Sequence, residues 1–262
     1  MRIIEQKILG KCPDQALCED GLFVGEHFIA VVDGVTSKKA LSAGSPTGGV
    51  LARRAILKLL SELDPAVDCY TAIDAITACL AEVDAQNEDT PRAVMVLYSV
   101  HRHEIWSVGD CGCLINGALH TNEKAIDGVL SACRSAIIEM MLAYGATEAE
   151  LFAEDRAREM LLPVLAMQQR LENKGGRYGY PVLNGTPVRR EQIKILTVAE
   201  GDEVVLASDG YPLLCSTLAE SEAALEQVKK DDPLCYKNYV STKGFRTDGG
   251  SFDDRTYIRF VV

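Results

Sequence analysis

The chain has 262 residues, 47% of them hydrophobic and 25% charged, an ordinary balance for a globular protein with a sizeable core. Its 38 acidic and 27 basic residues leave a net charge of −11, which argues against a nucleic-acid backbone or an anionic membrane as partner and suits a site that gathers metal ions. Nine cysteines, scattered and often inside apolar runs (Cys69, Cys79, Cys133), read as reduced thiols and not as a disulfide frame, and the four histidines lack zinc-ligand spacing.

In chain order, the N-terminal MRIIEQKILG lacks a signal-peptide core, so a cytoplasmic protein is expected. LFVGEHFIAVVDG reads as a hairpin of two apolar-rich strands, with Gly25, Glu26 and His27 near the turn. GGVLARRAILKLLSEL has helical spacing in Leu51, Ile56, Leu59, Leu60 and Leu63. YTAIDAITACLAEVDAQ is a second amphipathic helix, with Ile73, Ile76, Leu80 and Val83 on one side. Three strands follow, AVMVLYSV, EIWSVGD and GCLING, closed by the turn residues Asn116 and Gly117. A long helical stretch from about Asp127 to Leu171 is expected to break around Gly145 and Pro163. Arg134 and Glu139 within it exclude a membrane span. RYGYPVLNG, EQIKILTV and DEVVLASDG read as strands, TLAESEAALEQVKK as a helix, and DRTYIRFVV as a terminal strand. Hairpin-joined strands with helices arriving in pairs predict an α+β fold, an antiparallel sheet core with helices outside. One domain over 1–262 is expected, with a mostly helical insertion at about 121–190.

Five strands carry acid at one end. Asp33 and Asp209 each end an apolar strand and precede a glycine, Asp110 ends IWSVGD, Asp253 and Asp254 open the last strand, and Glu19 and Asp20 open an early one. Strand ends gather in space, and converged carboxylates need protons or cations to offset their repulsion. Several carboxylates with carbonyls and water form the hard-ligand set of Mg²⁺ or Mn²⁺. Asp-Gly by itself is also ordinary turn chemistry.

Taken in order, these motifs resemble the metal-dependent type 2C protein serine/threonine phosphatases, the PPM family. Glu19-Asp20, Asp33-Gly34, SVGD ending at Asp110, ASDG with Asp209, and DDRT from Asp253 to Thr256 follow its pattern across nearly the whole chain. The resemblance implies an antiparallel β-sandwich flanked by helix pairs in four α/β/β/α layers. It implies two Mn²⁺ or Mg²⁺ ions bridged by Asp33, one held also by the Gly34 carbonyl and Glu19, the other by Asp209 and Asp253. Asp20 and Asp254 would stand behind these ligands, and Asp110 would serve a weaker third ion. Catalysis by Asp33, Asp209 and Asp253 would run through a metal-activated water attacking phosphoserine or phosphothreonine in a protein substrate. Neither nucleic acid nor membrane is implied, and the oligomeric state is left open.

The chain departs from the pattern at several positions. Gln15 stands where the family has a phosphate-gripping arginine, and Val35 where eukaryotic members have histidine. Leu213 stands where many members have a further acid for the third ion, and Asp254 replaces the usual Asn. Lys11, on the same strand face as Gln15, would lie about 13 Å from it. Lys38 or Lys39 could replace the arginine. NKGGRYGYPVLNGTP, from Asn173, reads as an ordinary hairpin, with a substrate-contacting loop as the alternative. The departures keep two alternatives open: an inactive PPM-like binding module and a small-molecule phosphoesterase.

Overall fold

The computed structural model describes residues 1–38, 42, 44–84, 87–248 and 250–262, so Lys39 and the expected helix end at Ala85 and Gln86 lie outside the described residues. The elements in chain order are β1 (Arg2–Leu9), β2 (Gly21–Val24), β3 (Phe28–Gly34), α1 (Gly48–Leu60) and α2 (Cys69–Asp84). Then come β4 (Ala93–Ser99), β5 (Glu104–Val108), β6 (Gly112–Ile115), β7 (Ala118–His120), α3 (Ala125–Ala143), α4 (Glu148–Ala153) and α5 (Arg156–Gln168). The chain closes with β8 (Lys194–Thr197), β9 (Glu203–Ala207), α6 (Leu218–Asp231) and β10 (Arg255–Val261).

Antiparallel pairing builds two five-stranded sheets, ordered β1-β10-β9-β6-β7 and β2-β3-β4-β5-β8. Strand alternation assigns each face. On β3, Phe28, Ala30 and Val32 pack with Ile56, Ile73, Ile76 and Leu80 of α1 and α2, while Ile29 and Val31 face the other sheet. Val94, Val96 and Tyr98 of β4 meet Val204 and Leu206 of β9 and Ile258 and Phe260 of β10 in the layer between the sheets. The expected α+β sandwich is therefore what forms.

Local chemistry sets the helix ends. The Thr47 hydroxyl caps α1 by accepting the Val50 N–H at 3.3 Å, and Thr147 with Glu150 forms a reciprocal cap on α4. Gly145, at φ +99°, follows the end of α3. Pro163 does not break α5 as expected; it sits on the exposed face, where water can take the carbonyl the ring cannot bond. β1 was not expected, because an edge strand with only one partner lacks a fully apolar run. RYGYPVLNG is no hairpin. It is irregular, joined to the strands by an isolated Ala93–Leu183 bridge, and Asn173 bonds across it to both the N–H and the carbonyl of Val182 at 2.9 Å. Among the described residues, no helix is long and apolar enough to cross a membrane.

Candidate active site

The face that β3 turns toward the other sheet runs Ile29, Val31, Asp33, so the first acid stands where the apolar layer between the sheets gives out. The same parity carries Ser208 beyond β9 and Thr256 on β10 inward at that end. Both hydroxyls donate to Asp20 Oδ2, at 2.7 and 2.8 Å. Asp20 is thus a buried cross-link between β2, β9 and β10, and burial pushes its carboxyl well above the usual range. Arg53 of α1 donates to the Cys18 and Asp20 carbonyls at 2.6 and 3.2 Å and holds the Glu19–Asp20 turn in place.

Both Asp-Gly pairs sit where chains touch. A Cβ on Gly34 would lie 2.6 Å from the Glu19 carbonyl oxygen and 2.7 Å from the Gly49 Cα, and one on Gly210 would lie 2.0 Å from the Asp254 carbonyl oxygen. Glycine is required there so that the acid-bearing segments can close on one another.

A cavity of about 500 Å³ opens at this end, lined by Asp33, Asp110, Asp209 and Asp253 together with Lys38, Lys124 and Lys243. The Asp33 and Asp209 carboxyls share this cavity. Burial, then the charges of Asp209, Asp20 and Asp110, hold the Asp33 carboxyl far above the ordinary carboxylate range. Asp110 is raised by burial as well, although Lys124 Nζ contacts its Oδ2 at 2.8 Å; its Oδ1 is buried with no hydrogen-bond partner. Burial opposes the Lys124 charge, but Asp110 and Asp127 outweigh it and keep its pKa above the normal lysine value.

The remaining acids are already compensated from within the chain. Lys11 Nζ lies 2.8 Å from Glu19 Oε2, 2.8 Å from Thr36 Oγ1, 3.2 Å from Asp254 Oδ2 and 3.3 Å from Asp253 Oδ1. Glu19 also accepts from the Thr36 and Thr47 hydroxyls, each at 2.7 Å. Asp254 Oδ1 accepts the Lys11 N–H at 2.7 Å, and Oδ2 the Glu19 N–H at 3.0 Å. Lys243 Nζ pairs with Asp253 Oδ2.

A divalent ion fits one part of this arrangement. Asp33 and Asp209 repel each other, no lysine is ion-paired to either among the described residues, and Asp110, with one buried oxygen lacking a hydrogen-bond partner, lines the same cavity. Mg²⁺ and Mn²⁺ are commonly held by one or two carboxylates, the rest of the shell being water and substrate phosphate. At the second expected position, on Glu19 and the Gly34 carbonyl, the chain already supplies a cation: Glu19 Oε2 accepts from the Lys11 ammonium and the Thr36 hydroxyl, and Oε1 from the Thr47 hydroxyl. Among the described residues, no three acidic, histidine or cysteine side chains form a ready ligand cage.

Other expected residues are placed as follows. Gln15 does not line the acid cavity; its side chain closes the turn after β1, with Oε1 accepting the Gly10 N–H at 2.7 Å and Nε2 donating to the Cys12 carbonyl at 3.0 Å. Lys11 and Gln15 share no strand, since β1 ends at Leu9. Leu213 is an exposed part of the cavity wall, and Lys38 is on that wall too. The sequence did not single out Lys243, Lys124 or the two arginines that position the Lys243 segment. Arg134, fully buried, donates to the Leu234, Cys235 and Ser241 carbonyls at 2.8, 3.3 and 3.1 Å and pairs with Asp155; Arg158 donates to the Thr242 carbonyl at 2.5 Å. These are lone basic residues in loops or helices, and no local pattern marks them.

No protein-family model matches the sequence, and no curated protein matches it. Solved structures do resemble the fold. The serine/threonine phosphatase Stp1 from Staphylococcus aureus is 16% identical, covering 100% of this chain and 95% of its own, with a TM-score of 0.51. The catalytic domain of the serine/threonine protein phosphatase PstP, in complex with two manganese ions, is 15% identical over 99% and 98% of the two chains, with a TM-score of 0.50. A bacterial serine phosphatase is likewise 15% identical over 99% and 98%, at 0.50. Full-length superposition on these enzymes, with the acids gathered at one sandwich end, identifies the fold of this chain as that of the PPM-type serine/threonine phosphatases.

Proposed function

We propose that the chain is a Mn²⁺- or Mg²⁺-dependent phosphatase that hydrolyses phosphoserine and phosphothreonine monoesters in proteins. The observation that carries this reading is the Asp33–Asp209 pair, two mutually repelling carboxylates on a cavity whose walls also present Lys38 and Lys243. When bound, a divalent ion supplies a water of lowered pKa and offsets charge on the phosphoryl oxygens. Asp33 and Asp209 would hold it, and Asp110 would present its bare oxygen to the ion's water. Lys38 and Lys243 would draw the phosphate dianion to the same wall. No cysteine route competes at this site: the neighbouring Cys111 thiol is pushed well above its usual pKa by burial and then by Asp33. The serine/threonine specificity of the similarly folded Stp1 and PstP supports the substrate class.

p-Nitrophenyl phosphate and a phosphothreonine peptide should both be hydrolysed with Mn²⁺ and spared once a chelator is added. Absence of metal-dependent turnover on either substrate would falsify this reading. One observation favours a second reading, a phosphopeptide-binding module: Lys11 and Lys243 already neutralise Asp253. Peptide binding without turnover in the same assay would select it.

Lys38 provides a pH signature. Burial, then the charges of Lys243 and Arg158, lowers its pKa to about 7, with Glu19 pulling the other way and Lys11 adding to the repulsion. Its ammonium donates to the Thr36 carbonyl at 3.0 Å. Above about pH 7 the free enzyme has lost this charge, so a bound phosphate dianion must recruit a proton. Inhibition by inorganic phosphate should therefore weaken by up to about tenfold per pH unit between about pH 7.5 and 9.5. Lys38→Met should bind phosphate more weakly and without that slope. A parental slope that survives in Lys38→Met would remove Lys38 from the phosphate site.

A further inference from the structure

Around Glu19 the chain supplies its own cation. Lys11 leaves the end of β1 and turns its side chain under the cavity floor, where it is 15% exposed. Its three N–H groups face four oxygens between 2.8 and 3.3 Å, from Glu19, Thr36, Asp253 and Asp254. Its own backbone N–H is tied to Asp254, so the stem cannot swing away without breaking that bond as well. Three carboxylates share one ammonium there, and the Thr36 and Thr47 hydroxyls each donate to one of the Glu19 oxygens, Oε2 and Oε1. Neither Lys11 nor Glu19 lines the cavity, whereas Asp33 and Asp209 do. The two halves of the acid cluster are thus solved differently, one by a built-in lysine and one by open carboxylates.

We propose that the Lys11 ammonium permanently occupies the second cation position, so that the chain holds one divalent ion, on Asp33 and Asp209, in place of a pair. This rests on the metal-dependent reading above. A compact, strongly hydrated ammonium with three donors can replace a divalent ion as a charge, but it cannot lower the pKa of a water it does not ligate. The consequence is a site with one Lewis acid and one fixed counter-charge. Displacing Lys11 would leave a buried ammonium without its acids, a cost no single ion contact at Glu19 removes.

The test is a count. Mn²⁺ is titrated into the metal-free full chain and free ion is read by electron paramagnetic resonance. The parent chain should bind one ion with no spin-coupled pair signal. Lys11→Met, which keeps the stem and removes the charge, should bind two ions and show the coupled signal. Its melting temperature should also rise more on Mn²⁺ addition than the parent's. Two coupled ions in the parent, or one ion in both chains, overturns the proposal. Should Lys11→Met not fold, the parent's count decides alone. Two ions with full turnover would sink this inference and leave the phosphatase reading intact; no bound ion and no turnover would sink both.

Discussion

Asp33→Asn is expected to lower metal-dependent phosphatase turnover by about three orders of magnitude, and Asp209→Asn by a similar factor, measured as kcat with saturating Mn²⁺. Asn keeps the shape and one oxygen of each ligand but removes the charge that holds the ion. The same substitution should stabilise the metal-free chain. Burial and the neighbouring acids raise the Asp33 pKa in the fold above its ordinary value of 3.8. A carboxyl with a raised folded pKa favours the fold at low pH, and that contribution is lost as pH rises through the folded value. The parent without metal should therefore melt lower at pH 8 than at pH 5, and Asp33→Asn should flatten that difference. Saturating Mn²⁺ should raise the parent's melting temperature at pH 8 and leave that of Asp33→Asn nearly unmoved. Retained turnover in either variant would remove that residue from the site.

Arg134→Met should cost about 3–5 kcal/mol of stability, because it breaks a half-buried ion pair and strips three carbonyls of their buried donor. Arg134 is 0% exposed, and its guanidinium joins Asp155, at the start of α5, to the Leu234, Cys235 and Ser241 carbonyls. That last stretch leads directly to Lys243 on the cavity wall. The variant should melt roughly 6–20 °C lower, and amide exchange should rise in residues 234–243 before it rises in the sheets. Arg134→Lys should not rescue it, since one ammonium cannot span the carboxylate and three carbonyls as the planar fork does. Full rescue by lysine would mean that only charge matters at this position.

Much of the sandwich was legible because a short continuous apolar run reports a strand buried on both faces. FIAVV is apolar on both faces, and the structure buries it between the helices and the opposite sheet. Where a strand lies at an edge, as in β1, half of that signal is missing. RYGYPVLNG was misread for a related reason: its tyrosines and valine carry strand composition, but Asn173 and isolated bridges shape it. Of the site, the acids were legible because each stands at one end of a strand-like run. The glycines after them were legible as positions, although their cause is close chain contact at Glu19, Gly49 and Asp254.

The sequence by itself determined which carboxylates can gather, since strand alternation and strand ends are local properties of consecutive residues. It determined the two Asp-Gly pairs, one closing β3 and one in the turn after β9, and the absence of an arginine at Gln15. Only the tertiary structure decided which carboxylates are left bare and which are neutralised. Lys11 is 242 residues from Asp253 and Lys124 pairs with Asp110 across a strand hairpin, and such pairings depend on which loops the two sheets bring to one end. Charge compensation falls off over a few ångströms of space, and distance along the chain carries almost no information about it.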